Sequence, residues 1–104
     1  MRTSYLENDL IKLRREFHSQ PELNFDVTET SKKIESILKS SNIEVHKNIG
    51  KTGLVGVIKK GNSNRSIGIR ADMDALPVSE ANTFDYRSRH EGKMHACGHD
   101  GHVT

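Results

Sequence analysis

A chain of 104 residues with 33% hydrophobic residues, 5% aromatics and no Trp has room for one small domain and only a thin core, since globular domains average roughly 45–50% apolar residues with Gly counted. Its 16 basic and 14 acidic residues leave a net charge of +2 with the signs interspersed, so the clustered basic face of a nucleic-acid binder is missing. The single cysteine, Cys97, excludes an internal disulfide framework, and no apolar run approaches the ~18 residues of a membrane span. The expected setting is cytoplasmic, with neither nucleic acid nor membrane as partner.

Along the chain, Leu6, Leu10, Leu13 and Phe17 recur at helical spacing with charges between them, predicting a first helix over residues 4–19. Pro21 ends it, because the residue before a proline is driven out of the helical region. A second helix is expected from about 27 to 41, with Asp26 as cap and Glu29 three positions on, and an apolar stripe of Val27, Ile34, Ile37 and Leu38. The period then changes. Ile43 and Val45 alternate with polar residues, Leu54–Ile58 is an apolar run broken by Gly56, and Ile67–Ala71 is a third strand candidate. Turn residues over 60–65 make the last two strands expected antiparallel neighbours. Pro77 and Asn82 mark a loop, and a helix is compatible with the residues from His99 on.

Met94–Thr104, reading MHACGHDGHVT, concentrates the chemistry. A thiolate and an imidazole are ligands for zinc and similar borderline metals, and Gly98 between Cys97 and His99 frees the backbone to bring both to one ion. On spacing alone a buried structural cysteine beside surface histidines competes with this. Asp100 or another aspartate can take the second ring N–H of a ligand histidine. His102 stands three after His99 and shares its face if a helix begins there; an ordinary polar residue at a helix start is the equal alternative. His90 and His95 read as loop or pocket residues, and His18 as a helix-terminal imidazole favoured by the dipole. A second constellation, Asp72 and Asp74 two apart at a strand end before Pro77, is either half of a site or a polar strand terminus. Gly50-Lys51-Thr52 echoes a phosphate loop, but the required glycine five positions before its GK is Val45, so nucleotide binding is rejected.

LRREFHSQPELNF from Leu13, TGLVGVI from Thr52, IRADMDALPV from Ile69 and SRHEGKMHACGHDGHVT from Ser88 together resemble the amidohydrolase branch of the aminoacylase and carboxypeptidase metallopeptidases. The resemblance implies an α/β fold: the N-terminal part of a mixed-sheet, zinc-peptidase-like catalytic domain, with two helices, about three strands and the metal-motif loop. It implies Cys97 and His99 as metal ligands, Asp74 as the orienting aspartate, and Asp72, Asp100 and His102 around them. Zinc or manganese is the implied metal, with nickel or cobalt as further options. The implied reaction cleaves the amide of small-molecule N-acyl amino acids with water activated by metal and glutamate. The family's Glu-Glu pair, which holds that general base, is absent from these residues, as is its lid and dimerisation domain. Residues 1–104 are therefore expected to be an incomplete segment, inactive alone, prone to self-association, from a parent that is a homo-oligomer. A peptide-cleaving metallocarboxypeptidase is the rival enzyme, and a short non-catalytic metal- or partner-binding module is the rival of another class.

Overall fold

The computed structural model describes residues 2–104, with side chains from Leu6 onward. Helix α1 runs Arg2–Ser19, free of Gly and Pro. It closes where Gln20 N–H bonds the Phe17 carbonyl at 3.1 Å and the Ser19 hydroxyl bonds the Glu16 carbonyl at 2.9 Å. Pro21 is fully buried just beyond. Helix α2 spans Thr28–Ser40. Asp26 does not cap it. The capping position is Val27, which has no side-chain oxygen, and the Glu22 carboxylate does the work from outside the helix. Glu22 Oε1 accepts from the Thr30 amide and hydroxyl, each at 2.6 Å, and Oε2 from the Glu29 amide at 3.3 Å. A carboxylate there satisfies otherwise unpaired N–H groups and meets the positive end of the helix dipole.

Strands β1 (Glu44–Ile49) and β2 (Gly53–Val57) form an antiparallel hairpin in which Val45 faces Gly56 and Lys47 faces Leu54. A left-handed backbone at Asn48, where the register of β1 slips, and at Gly50 and Lys51 in the turn places Gly50–Thr52 in a hairpin rather than a phosphate loop. A two-stranded ribbon is marginal by itself; α2 supports this one. A Cβ on Gly56 would come within 3.2 Å of Ile43 and 3.3 Å of Leu38, so the close seat of helix on hairpin depends on that glycine.

The α/β class holds, but the expected pairing of the second and third strand candidates does not. Strand β2 takes β1, its neighbour across a short turn, as partner, a closure that is entropically cheaper than one across a longer loop. Ile67–Ala71 joins no ladder among the described residues, and Ile67 and Ile69 are 92% and 95% exposed. The segment that follows is gripped from both sides. Ala75 N–H bonds the Glu22 carbonyl at 2.7 Å, and Leu76 exchanges backbone bonds with Met94 at 2.9 and 3.0 Å. Residues 72–76 are thereby fixed between the segment leaving α1 and the loop that carries the cysteine.

Among the described residues the buried apolar side chains are Phe17, Val27, Ala75 and Pro21, outnumbered by buried His18, Ser19, Thr30, His95 and Asp100. The accessible surface is 8164 Å², against about 5,900 Å² for an average folded protein of 11.7 kDa. Hydrophobic burial contributes little here, and polar contacts carry an unusual share of the order.

Candidate metal centre

The chemistry assembles where residues 72–76 meet the loop ending in a short helix, α3 (His99–His102). Gly98 precedes α3 with φ of +107°, a backbone state that side-chain-bearing residues rarely adopt. That single inversion turns the chain from the Cys97 segment into the helix. His99 Nδ1 lies 2.8 Å from the Asp74 carbonyl and 3.1 Å from Asp74 Oδ1. Both are acceptors, so Nδ1 carries the proton and Nε2 keeps its lone pair. Asp72 Oδ2 stands 4.0 Å from that Nε2, while its Oδ1 pairs with Arg70 at 2.8 Å. Cys97 is exposed. His102 shares the α3 turn with His99, the ring centres 5.8 Å apart, and is exposed.

The donor set fits a borderline divalent metal: a free thiol and an imidazole whose outer nitrogen is held by carbonyl and carboxylate. Among the described residues no group of three or more His, Cys, Asp or Glu is arranged to hold a metal. What the described residues supply here is one thiol, Cys97, and one imidazole, His99, with the support that Asp74 gives it. His90 is exposed, whereas His95 is buried under the loop. Neither ring nitrogen of His95 has a hydrogen-bond partner among the described residues. Burial pushes its pKa below the ordinary imidazole value against the pull of Asp100, and His18 and His99 add to the depression.

Asp100, read from sequence as a neighbour of the candidate ligands, bonds instead to α1. Its Oδ2 accepts from His18 Nδ1 at 2.8 Å and from Arg14 Nε at 2.9 Å, and its Oδ1 from the Gly101 amide at 3.0 Å. The other ring nitrogen of His18, Nε2, meets Glu80 at 3.0 and 3.1 Å. The His18, Asp100 and Glu80 side chains are all at most 3% exposed. Phe84 and Tyr86, stacked at 4.0 Å, stand 6.0 and 5.9 Å from the His18 ring. Glu80 was not singled out by sequence, and His18 was read as a helix-terminal residue only. Their partners lie 62 and 82 positions apart in the chain, so no local spacing announces them.

Burial alone would raise the Glu80 carboxyl, but hydrogen bonds from His18, Asn82 and the Ser88 amide together hold it down at about 2. A carboxyl depressed in the folded state adds stability that is complete above its unfolded value and disappears as pH falls through the folded one. Thermal melts are thus expected to weaken as pH drops from about 4.5 towards about 2, and Glu80→Gln to flatten that slope. An identical slope in the variant would remove Glu80 from the acid response.

The sequence model of the peptidase family M20/M25/M40 matches residues 68–104, the stretch that holds both aspartates, the cysteine and the three closing histidines. Over 99 residues the chain is 52% identical to a hippurate hydrolase of Campylobacter jejuni, covering 95% of this chain and 26% of that protein. It is 41% identical to thermostable carboxypeptidase 2 of Saccharolobus solfataricus, with 95% and 25% covered. A Bacillus subtilis crystal structure described as a dinuclear metal binding peptidase of the M20 family superposes with a TM-score of 0.90 at 42% identity, over 96% of this chain and 28% of that one. The chain is thus similar to proteins of this family over nearly its whole length. It spans about a quarter of the length of the relatives it matches.

Proposed function

We propose that this chain carries the first metal-ligand segment of a hydrolase that cleaves the amide bond of N-acyl amino acids. One geometric fact carries the proposal: Asp74 holds Nδ1 of His99 through carbonyl and carboxylate at 2.8 and 3.1 Å, which leaves Nε2 as a lone-pair donor on the turn that follows Cys97. Cys97 Sγ and His99 Nε2 are the proposed ligands, Asp74 orients His99, and Asp72 and His102 border the site. A divalent metal, zinc or manganese before nickel or cobalt, supplies Lewis acidity and a lowered water pKa when bound. The general-base glutamate is assigned to residues outside these 104, because no Glu-Glu pair occurs in them. With two ligands in place of the usual three, the 104-residue chain by itself is inactive.

The higher identity to the hippurate hydrolase, 52% against 41% for the carboxypeptidase, favours acyl amides over peptides. The lone cysteine fits a cytoplasmic setting. The deciding assay follows release of free amino acid from N-benzoyl and N-acetyl amino acids and from dipeptides, with Zn²⁺ or Mn²⁺ supplied. No turnover is expected from the 104-residue chain. Metal-dependent turnover of the acyl substrates is expected from a longer protein carrying this segment, abolished by Cys97→Ala or His99→Ala. Turnover that survives both substitutions would sink the ligand assignment, and tight metal binding by a defined dimer of the short chain would favour a non-catalytic module.

A further inference from the structure

We propose that His18 is a positioning residue for the metal centre, acting on His99 through Asp100. The inference rests on the reading of Cys97 and His99 as ligands and concerns what holds them in place. Helix α3 has only four residues and no side-chain cap at Gly98. A single turn fixes several dihedrals for very few hydrogen bonds, so it does not hold its own direction. Its orientation comes from the residue next to His99. Asp100 is 1% exposed and is bound by His18 Nδ1 at 2.8 Å and Arg14 Nε at 2.9 Å, both on α1.

His18 is itself immobilised. Glu80 takes its far nitrogen at 3.0 Å, and Glu80 is tied in turn to the Ser88 amide at 2.7 Å and Asn82 at 2.9 Å. Phe84 and Tyr86 flank the ring. His99 therefore has two supports: Asp74 at its ring nitrogen, and the α1 anchor on its neighbouring residue. Two acceptors at opposite ring nitrogens require a donor at each. Only the Nδ1 arm leads to the ligand; the Nε2 arm braces the ring from behind.

The two arms can be separated chemically. An asparagine places its amide nitrogen near the position of Nδ1, and a glutamine near that of Nε2. His18→Asn keeps the donor to Asp100, while His18→Gln keeps only the donor to Glu80. Both remove the imidazole, so a purely structural role destabilises both. Co²⁺ is the probe, titrated into the 104-residue chain with an osmolyte present to keep destabilised variants folded. The thiolate-to-cobalt charge-transfer band reports the site directly, and His99 side-chain ¹⁵N shifts report the ring with no metal added. His18→Gln is expected to weaken cobalt binding by about 10–100-fold, the range for outer-shell partners of ligand histidines, with a shifted band and moved His99 resonances. His18→Asn is expected to stay close to the unsubstituted chain in all three. Equal behaviour of the two variants, whether both intact or both impaired, overturns the proposal. A cobalt blank in every variant, the unsubstituted chain included, counts against the ligand reading, and the metal-free His99 shifts then decide the positioning of the ring separately.

Discussion

Replacing Asp100 by alanine is expected to cost about 3–5 kcal/mol of stability, the range for breaking a buried ion pair by removing one partner. The carboxylate is 1% exposed and accepts from Arg14, His18 and the Gly101 amide. Its loss leaves the His18 ring, equally buried, with an unanswered N–H facing a small cavity. Domains of ordinary size are stable by only about 5–15 kcal/mol. With few buried apolar side chains among the described residues, Phe17, Val27, Ala75 and Pro21, this chain has little in reserve. Urea melts followed by circular dichroism should show a sharply lowered midpoint for Asp100→Ala. Asp100→Asn keeps an acceptor for His18 and should lose less. A midpoint for the alanine variant within experimental error of the parent would mean that the network adds nothing net, as some buried ion pairs do.

Loss of the metal is the second large effect. Cys97→Ser is expected to abolish the thiolate-to-cobalt band, and His99→Ala to weaken cobalt binding by more than the ~10–100-fold typical of outer partners. Asp74→Ala should fall at the mild end of that range. Its backbone carbonyl, the shorter of the two contacts to His99 Nδ1 at 2.8 Å, survives the substitution and still selects the tautomer. Titration of the three variants beside the parent gives the ranking. An Asp74→Ala loss as large as that of His99→Ala would show that the carboxylate, and not the carbonyl, sets the ring.

The two helices were legible because each carries apolar residues at a regular helical spacing, and Pro21 and the change of period after Ser41 mark their ends. The helix start at His99 was legible in the same local sense, and the structure begins α3 there. The Asp26 cap was not correct, because its local pattern competes with Glu22, whose carboxylate reaches the same amides from before the turn. The third strand failed for a related reason. An apolar alternation states that a segment can pair, but a partner has to lie alongside, and Ile67–Ala71 has none among the described residues.

The concentration of Cys97, His99, Asp100 and His102 in one short run lies in the sequence itself, since residues that are neighbours along the chain need no fold to bring them near. So do Gly98, placed where the backbone must invert, and the family resemblance borne by four separate strings. What only the tertiary structure decided is the use of each group. Asp100 looked like part of the site and instead bonds α1; His18 looked like a helix end and is its partner there; Glu80 carried no signal, and nothing in the sequence marked Glu22 as the cap of α2. Their roles depend on contacts across 82, 62 and 8 positions. Contacts of that kind are set by how elements pack and which polar groups burial leaves in need of a partner, and a linear pattern of residue types does not contain that geometry.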